Sequence, residues 1–323
     1  MPTLAYILSA SHSGSTLLAM LLNAHPDVCS VGELKATHLG DVERYRCSCG
    51  QLIRQCPFWG RVRDAMARRG ISFDITNAGT DFRLTGQGLT RRLAGALHRG
   101  AVLERCRDFA LRLSPTWRAQ LPQVQHRNAA LVGAIRELTG AKIVVDSSKI
   151  ALRLKHLLRN PELDVKVIRL VRDGRAVALT YMDPASFADA SDPSRRGGGM
   201  GGGRNGDRLC MADASLEWHR SNEEAEHVLA GLDRSRWIEV RYEEVCADPK
   251  GTLRRIFDFL GLNPSRWVQG FRSVEHHVVG NGMRLDSTSE IRPDERWKSV
   301  LTKDDLAVFD RVAGATNRRY GYQ

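Results

Sequence analysis

Residues Leu4–Leu8 form a short apolar run that passes through a Ser/Gly segment, Ser9–Ser15, into Thr16–Ala24. That last stretch carries Leu17, Leu18, Met20, Leu21 and Leu22 and is apolar nearly all round. The pattern predicts a buried strand, a small-residue loop and a buried helix that stops before Pro26. The same order recurs along the chain. Lys142–Val145 reads as a second strand ending in Asp146–Lys149, and Val165–Val171 as a third ending in Arg172–Arg175, with a helix over Ala176–Met182. Trp237–Val240 reads as a fourth, ending in Arg241–Glu243. Strands alternating with helices imply an α/β fold with a mostly parallel sheet flanked by helices. In such sheets ligands bind beyond the carboxyl ends of the strands. That rule selects four polar segments together: Ser9–Thr16, Asp146–Lys149, Arg172–Arg175 and Arg241–Glu243.

The remaining pattern fits around this frame. A chain of 323 residues with 42% apolar residues can build a large core. One domain spanning residues 1–323 is expected, because α/β folds often exceed the usual ~100–200 residues per domain. A helical insertion is expected over roughly 60–138, where Leu131, Ile135 and Leu138 recur at helical spacing and Gly140 supplies a stop. Asp248-Pro249 looks like an N-cap with proline at the first helical position. Residues 195–206, RRGGGMGGGRNG, cannot pack a core and read either as a lid over an acceptor or as a bare insertion.

Ser11–Thr16 has the context of a phosphate cradle, making the fold P-loop-like. Backbone N–H groups of a small-residue loop face the anion, the helix N-terminus adds partial positive charge, and Ser13, Ser15 and Thr16 add hydroxyls. A Walker A loop would place Lys after its last Gly, but Ser15 follows Gly14 here. The lysine for terminal phosphates and the usual Mg²⁺ arrangement are therefore missing from the pattern, which disfavours a nucleotide kinase, the second reading.

The strand followed by Ser13-Gly14-Ser15-Thr16-Leu17-Leu18 resembles the 5′-phosphosulfate loop of sulfotransferases that use 3′-phosphoadenosine-5′-phosphosulfate (PAPS). Val167–Arg175, with Thr180 eight residues after Arg172, resembles their 3′-phosphate motif, Thr180 standing where the family has Ser. Ala24–Val28 followed by Gly32-Glu33 is similar to the tyrosylprotein branch, and the resemblance makes Glu33 the catalytic base. It also gives Lys149 a place near the bridging oxygen. Gly280–Arg284 and Arg296–Lys298 resemble the late segment that closes over the 3′-phosphate. The resemblance runs from Leu4 to about Lys298, with a poorly matched stretch between Gly60 and Leu138. It implies an enzyme that moves a sulfuryl group from PAPS to a hydroxyl of a small molecule, glycan, lipid or peptide by in-line transfer without a metal. The donor-binding set is then Ser13, Gly14, Ser15, Thr16, Arg172, Thr180, Tyr242, Arg284 and Lys298, and the catalytic set Glu33, His12 and Lys149.

His12 departs from the pattern, since most of the family has Lys or Arg there. A neighbouring phosphate favours its protonated form, so His12 is assigned with Lys149 to the leaving side and is the second candidate for the base. Cys47, Cys49 and Cys56 lack a clean fourth ligand, and C-x-C is not the usual C-x₂₋₄-C pair. No metal is expected, and a disulfide or packed thiols is the reading.

The net charge of +11 permits a nucleic-acid partner, but no reading module is present and none is expected. With 8 Lys, 40 of the 48 basic residues are Arg, which suits a phosphate or sulfate ligand. No basic n-region precedes the first apolar stretch, and no apolar run reaches the ~18 residues of a membrane span. A cytoplasmic protein without a span is expected.

Overall fold

The computed structural model describes residues 1–35, 39, 41–83, 89–95, 101–187, 208–286 and 290–323. The glycine-rich segment 195–206 lies outside the described residues.

In chain order the first half holds β1 (Thr3–Leu8), α1 (Ser15–Asn23), β2 (Val28–Gly32), α2 (Pro57–Ala67), α3 (Leu89–Gly95), α4 (Ala101–Leu113) and α5 (Pro115–Thr139). Next come β3 (Ile143–Lys149), α6 (Ala151–Leu158), β4 (Asp164–Val171), α7 (Gly174–Met182), α8 (Pro184–Phe187) and α9 (Met211–Ala230). The last part contains β5 (Trp237–Arg241), α10 (Tyr242–Ala247), α11 (Pro249–Leu260), α12 (Trp297–Val300), α13 (Lys303–Phe309) and α14 (Ala315–Arg319). The five strands lie in the order β2-β3-β1-β4-β5, and every pair is parallel. No described helix is long and apolar enough to cross a membrane.

The fold class is the one the alternating pattern implies. Side chains of successive strand residues point to opposite faces, so β1 serves two cores. Leu4, Tyr6 and Leu8 join the layer containing α2, α5 and α6. Ala5 and Ile7 join the layer containing α1 and α11. Helix α1 is consequently buried from Ser15 to Leu22. Gly140 closes α5 with φ 69°, and the Asp248 side chain caps α11 by accepting from the Gly251 N–H.

One strand was not expected. Val28–Gly32 contributes β2 at the sheet edge, but Cys29 and Ser30 break its apolar run. The second strand also runs further than its apolar residues suggest, through Lys149. Asp146–Lys149 therefore stays in the sheet instead of leaving it as a loop.

Candidate functional site

The chain leaves β1 toward β2 and leaves β4 toward β5, although β1 and β4 are neighbours. Their following loops diverge and leave a crevice at the carboxyl ends, the position at which open α/β sheets bind ligands. The first wall is Ser9–Gly14. Gly14 caps α1 in a left-handed conformation, φ 85° and ψ 16°. A Cβ there would stand 2.4 Å from Cδ2 of Tyr242, so the Tyr242 ring closes the back of the loop and only glycine fits. Ser13 is 1% exposed, and its hydroxyl has no hydrogen-bond partner among the described residues. A buried hydroxyl without a partner costs ~1–3 kcal/mol, and an anion seated on the loop would satisfy it. Ser15 and Thr16 are buried beside it.

Glu33 and Lys149 meet across the ends of β2 and β3. Lys149 Nζ donates to Glu33 Oε1 in a largely buried ion pair. Glu33 is held by its backbone. Gly32, φ 80°, lets the 279 carbonyl lie where a Cβ would be, and the Glu33 N–H donates to that carbonyl at 3.0 Å. Behind them, Asp146 is fully buried and accepts from the N–H groups of Leu34, at 3.3 Å, and Ser148, at 2.9 Å. Arg153 reaches the other Asp146 oxygen through Nε at 3.1 Å and Nη2 at 3.0 Å. The same guanidinium binds the Thr80 carbonyl at 2.6 Å and Asn128 Oδ1 at 2.9 Å. Asp146, Arg153, Thr80 and Asn128 thus fix the backbone that carries Glu33. Sequence reasoning missed this network, because Arg153 on α6 looks like any surface helix arginine. Lys35 lies nearby, with burial pushing its amine down.

On the opposite side, Arg172 is buried, and its Nη1 donates to the His12 carbonyl at 2.6 Å. Its Nη2 pairs with Asp294 Oδ2 at 2.9 Å, and the guanidinium lies 4.3 Å from the Tyr242 ring centroid. Burial pushes the Asp294 carboxyl up, but its hydrogen bonds from Arg296 and the charge of Arg172 outweigh that and hold it at about 2. Asp294 is therefore a fixed anion on Arg172. The His12 ring packs edge-on against Tyr181, 5.0 Å between centroids. Burial first, and then the charges of Lys149 and Arg172, hold its imidazole down at about 3. A phosphate beside the ring would oppose those two charges and favour the protonated form.

The profile of the sulfotransferase family matches residues 5–266. The chain belongs to the sulfotransferase family. Among its relatives, mouse carbohydrate sulfotransferase 2 is 32% identical over an alignment of 201 residues, gaps included, that covers 53% of this chain and 37% of that protein. Mouse carbohydrate sulfotransferase 5 is 23% identical over 350 residues, covering 98% of this chain and 80% of that protein. The chain spans well under half the length of the first of these relatives. A sulfotransferase domain from the curacin biosynthetic pathway shares the fold, with TM-score 0.54, 18% identity, and coverage of 100% of this chain and 99% of that one. The relatives found are carbohydrate sulfotransferases, so the likeness of Ala24–Glu33 to the tyrosylprotein branch is not carried beyond that segment.

Three further expected donor-binding residues make contacts of their own in the fold. Thr180 is buried in α7, where its hydroxyl donates to the Ala176 carbonyl at 3.1 Å. Arg284 is also buried, with Nη1 on the Gly280 carbonyl at 2.6 Å and Nε and Nη2 on the Arg46 carbonyl at 3.2 and 2.7 Å. That arrangement buttresses Gly280, whose Cβ position is 3.6 Å from Thr16 Oγ1 and 3.7 Å from Glu33 Oε1. Lys298 pairs with Glu295 at 2.6 Å in the open. Among the described residues, the group with metal-ligand geometry is Cys47, Cys49, Cys56 and His277.

Proposed function

We propose that this sulfotransferase moves a sulfuryl group from PAPS to an acceptor hydroxyl, with Glu33 as base. The observation that carries the reading is the Glu33–Lys149 pair beside the Ser13–Thr16 loop. It sets a proton acceptor and a cation side by side at the end of the sheet.

The chemistry follows from what each group can do. The loop N–H groups and the Ser13 hydroxyl hold the 5′-phosphosulfate. As the acceptor oxygen attacks sulfur in line, its proton passes to the Glu33 carboxylate and the new S–O bond forms. The bond from sulfur to the bridging phosphate oxygen breaks on the far side, and PAP leaves with the electron pair. Lys149 stabilises the charge that develops there. His12 contributes an N–H hydrogen bond, and the arriving phosphosulfate raises its proton affinity by opposing Lys149 and Arg172. Arg172 with Thr180 serves the 3′-phosphate, which must replace Asp294 on the guanidinium. The transfer itself uses no metal. A sugar hydroxyl is the first acceptor class to test, since the relatives are named for carbohydrates. A cytoplasmic location is part of the same proposal.

Thermal unfolding with PAP against ATP and Mg²⁺ tests the donor. PAP should stabilise by about 2.7 kcal/mol at a hundredfold excess over its dissociation constant, with ATP-Mg²⁺ giving less. Equal or larger stabilisation by ATP-Mg²⁺ would instead support the kinase reading.

A further inference from the structure

Cys47, Cys49 and Cys56 come from one short stretch, and the fold brings His277 to them from 221 residues further on. The four ligand atoms all lie within 4.8 Å of one another. Cys49 Sγ to Cys56 Sγ is 3.7 Å. His277 Nδ1 is 3.5 Å from Cys56 Sγ and 3.8 Å from Cys47 Sγ. A tetrahedral zinc with Zn–S of about 2.3 Å and Zn–N of about 2.05 Å requires roughly 3.8 Å between sulfurs and roughly 3.6 Å from sulfur to nitrogen. These three separations match that tetrahedron, whereas a disulfide would draw two sulfurs to about 2.05 Å.

The surroundings are those of a metal-bound histidine. His277 Nε2 is 2.7 Å from Glu275 Oε1, which leaves Nδ1 as the ligand atom, and a carboxylate behind a ligating imidazole is the usual orienting partner. The ring stacks on Phe58, 4.4 Å between centroids with planes 3° apart. Cys47 and Cys56 are buried. The Cys47–Gln51 turn closes on itself with Cys47 N–H to Gln51 O and Gly50 N–H to Cys47 O, both 2.9 Å. Ser48 Oγ accepts from the Val278 N–H at 2.8 Å, tying the turn to the segment that carries His277.

We infer that Cys47, Cys49, Cys56 and His277 form a structural zinc site. Three thiolates and an imidazole, all supplied by the protein, leave no open position, as in structural zinc sites. The site clips residues 275–280 onto residues 45–57. That segment is the one whose Val279 carbonyl holds the Glu33 N–H, and Tyr45 Oη bonds both the N–H and carbonyl of Gly280 at 2.8 and 3.1 Å. Zinc therefore braces the wall behind Glu33 without touching the reacting atoms. The inference stands on geometry independent of the donor assignment.

The test is elemental analysis of the full chain purified without chelator. About one zinc per chain is expected, with His277→Ala and Cys56→Ser losing most of it. Cobalt substituted into the unaltered chain should show the visible bands of tetrahedral Co²⁺ and a sulfur-to-cobalt charge-transfer band, which covers variants that fail to fold. Removal of zinc should lower the melting temperature and its return restore it. A metal-free chain with a Cys49–Cys56 disulfide in the peptide map, or zinc retained in both variants, would overturn the inference.

Discussion

Lys149 and His12 are the two non-glycine residues with positive φ among the described residues, 71° and 60°. A left-handed conformation at such residues costs of order 1–3 kcal/mol and persists where the surroundings impose it. Both stand at the crevice, one at the end of β3 and one in the loop after β1, which is the placement expected of residues set for chemistry. Arg172 gives a prediction with two signs. Its contact to the 3′-phosphate is a charge-assisted bond worth ~1.5–3 kcal/mol, so Arg172→Ala should weaken PAP binding by about one to two orders of magnitude. Asp294 competes for the same guanidinium, so Asp294→Asn should tighten PAP binding. Calorimetry with PAP reads both, and unchanged affinity in Arg172→Ala would remove Arg172 from the 3′-phosphate. Arg172 was legible because it follows an apolar run, and Lys149 because it closes the polar segment that follows one; Glu33 was reached only through the resemblance of Ala24–Glu33. Asp294 was not, since it sits in an irregular tail whose path depends on tertiary contacts. His277 was hidden for a different reason: a ligand 221 residues from Cys56 leaves no spacing to read.

At the scale of elements, four strand ends and the first helix were visible in the sequence, because a buried parallel strand is apolar on both faces. β2 escaped because an edge strand of five residues with Cys29 and Ser30 lacks that signature. The brace beneath Glu33 escaped because burial of Arg153 is decided by α5, α6 and the Thr80 loop together. Its energetics can be stated. Arg153 and Asp146 are both buried, with side-chain exposures of 5% and 0%. Breaking a buried pair by removing one partner typically costs ~3–5 kcal/mol, because the remaining charge is uncompensated. Arg153→Met should therefore lower the urea midpoint sharply, and adding Asp146→Asn should recover part of the loss. Equal stability of the single and double variants would show that the pair is not the stabilising feature.

For the whole molecule, buried histidines set the acid limit of stability. Burial first, and then the charges of Lys155 and Arg159, hold His156 at about 3 against an ordinary 6.5; burial likewise pushes His276 down, and His12 shares the direction. For such a depressed group the unfolded chain takes up the proton first. Its contribution is therefore complete above 6.5 and is lost as pH falls toward 3. For His156 each pH unit in that window costs about 1.4 kcal/mol. His156 packs between Phe82 and Trp117, with ring centroids 5.1 and 5.0 Å away, so His156→Phe should fit and should lose about 2 kcal/mol less than the unaltered chain between pH 6.5 and 5. Denaturant midpoints at the two pH values check this, and equal losses would contradict it. The whole-molecule claim of sulfuryl transfer is tested most directly at Glu33. The measurement is transfer of label from ³⁵S-PAPS to a panel of acceptors by the unaltered chain and by Glu33→Gln, with PAP affinity measured for each. The account predicts a labelled acceptor with the unaltered chain, a loss of ~10²–10⁴ in single-turnover rate for Glu33→Gln, and the same PAP affinity in both. Near-normal transfer by Glu33→Gln, or no PAP binding by the unaltered chain, would contradict it.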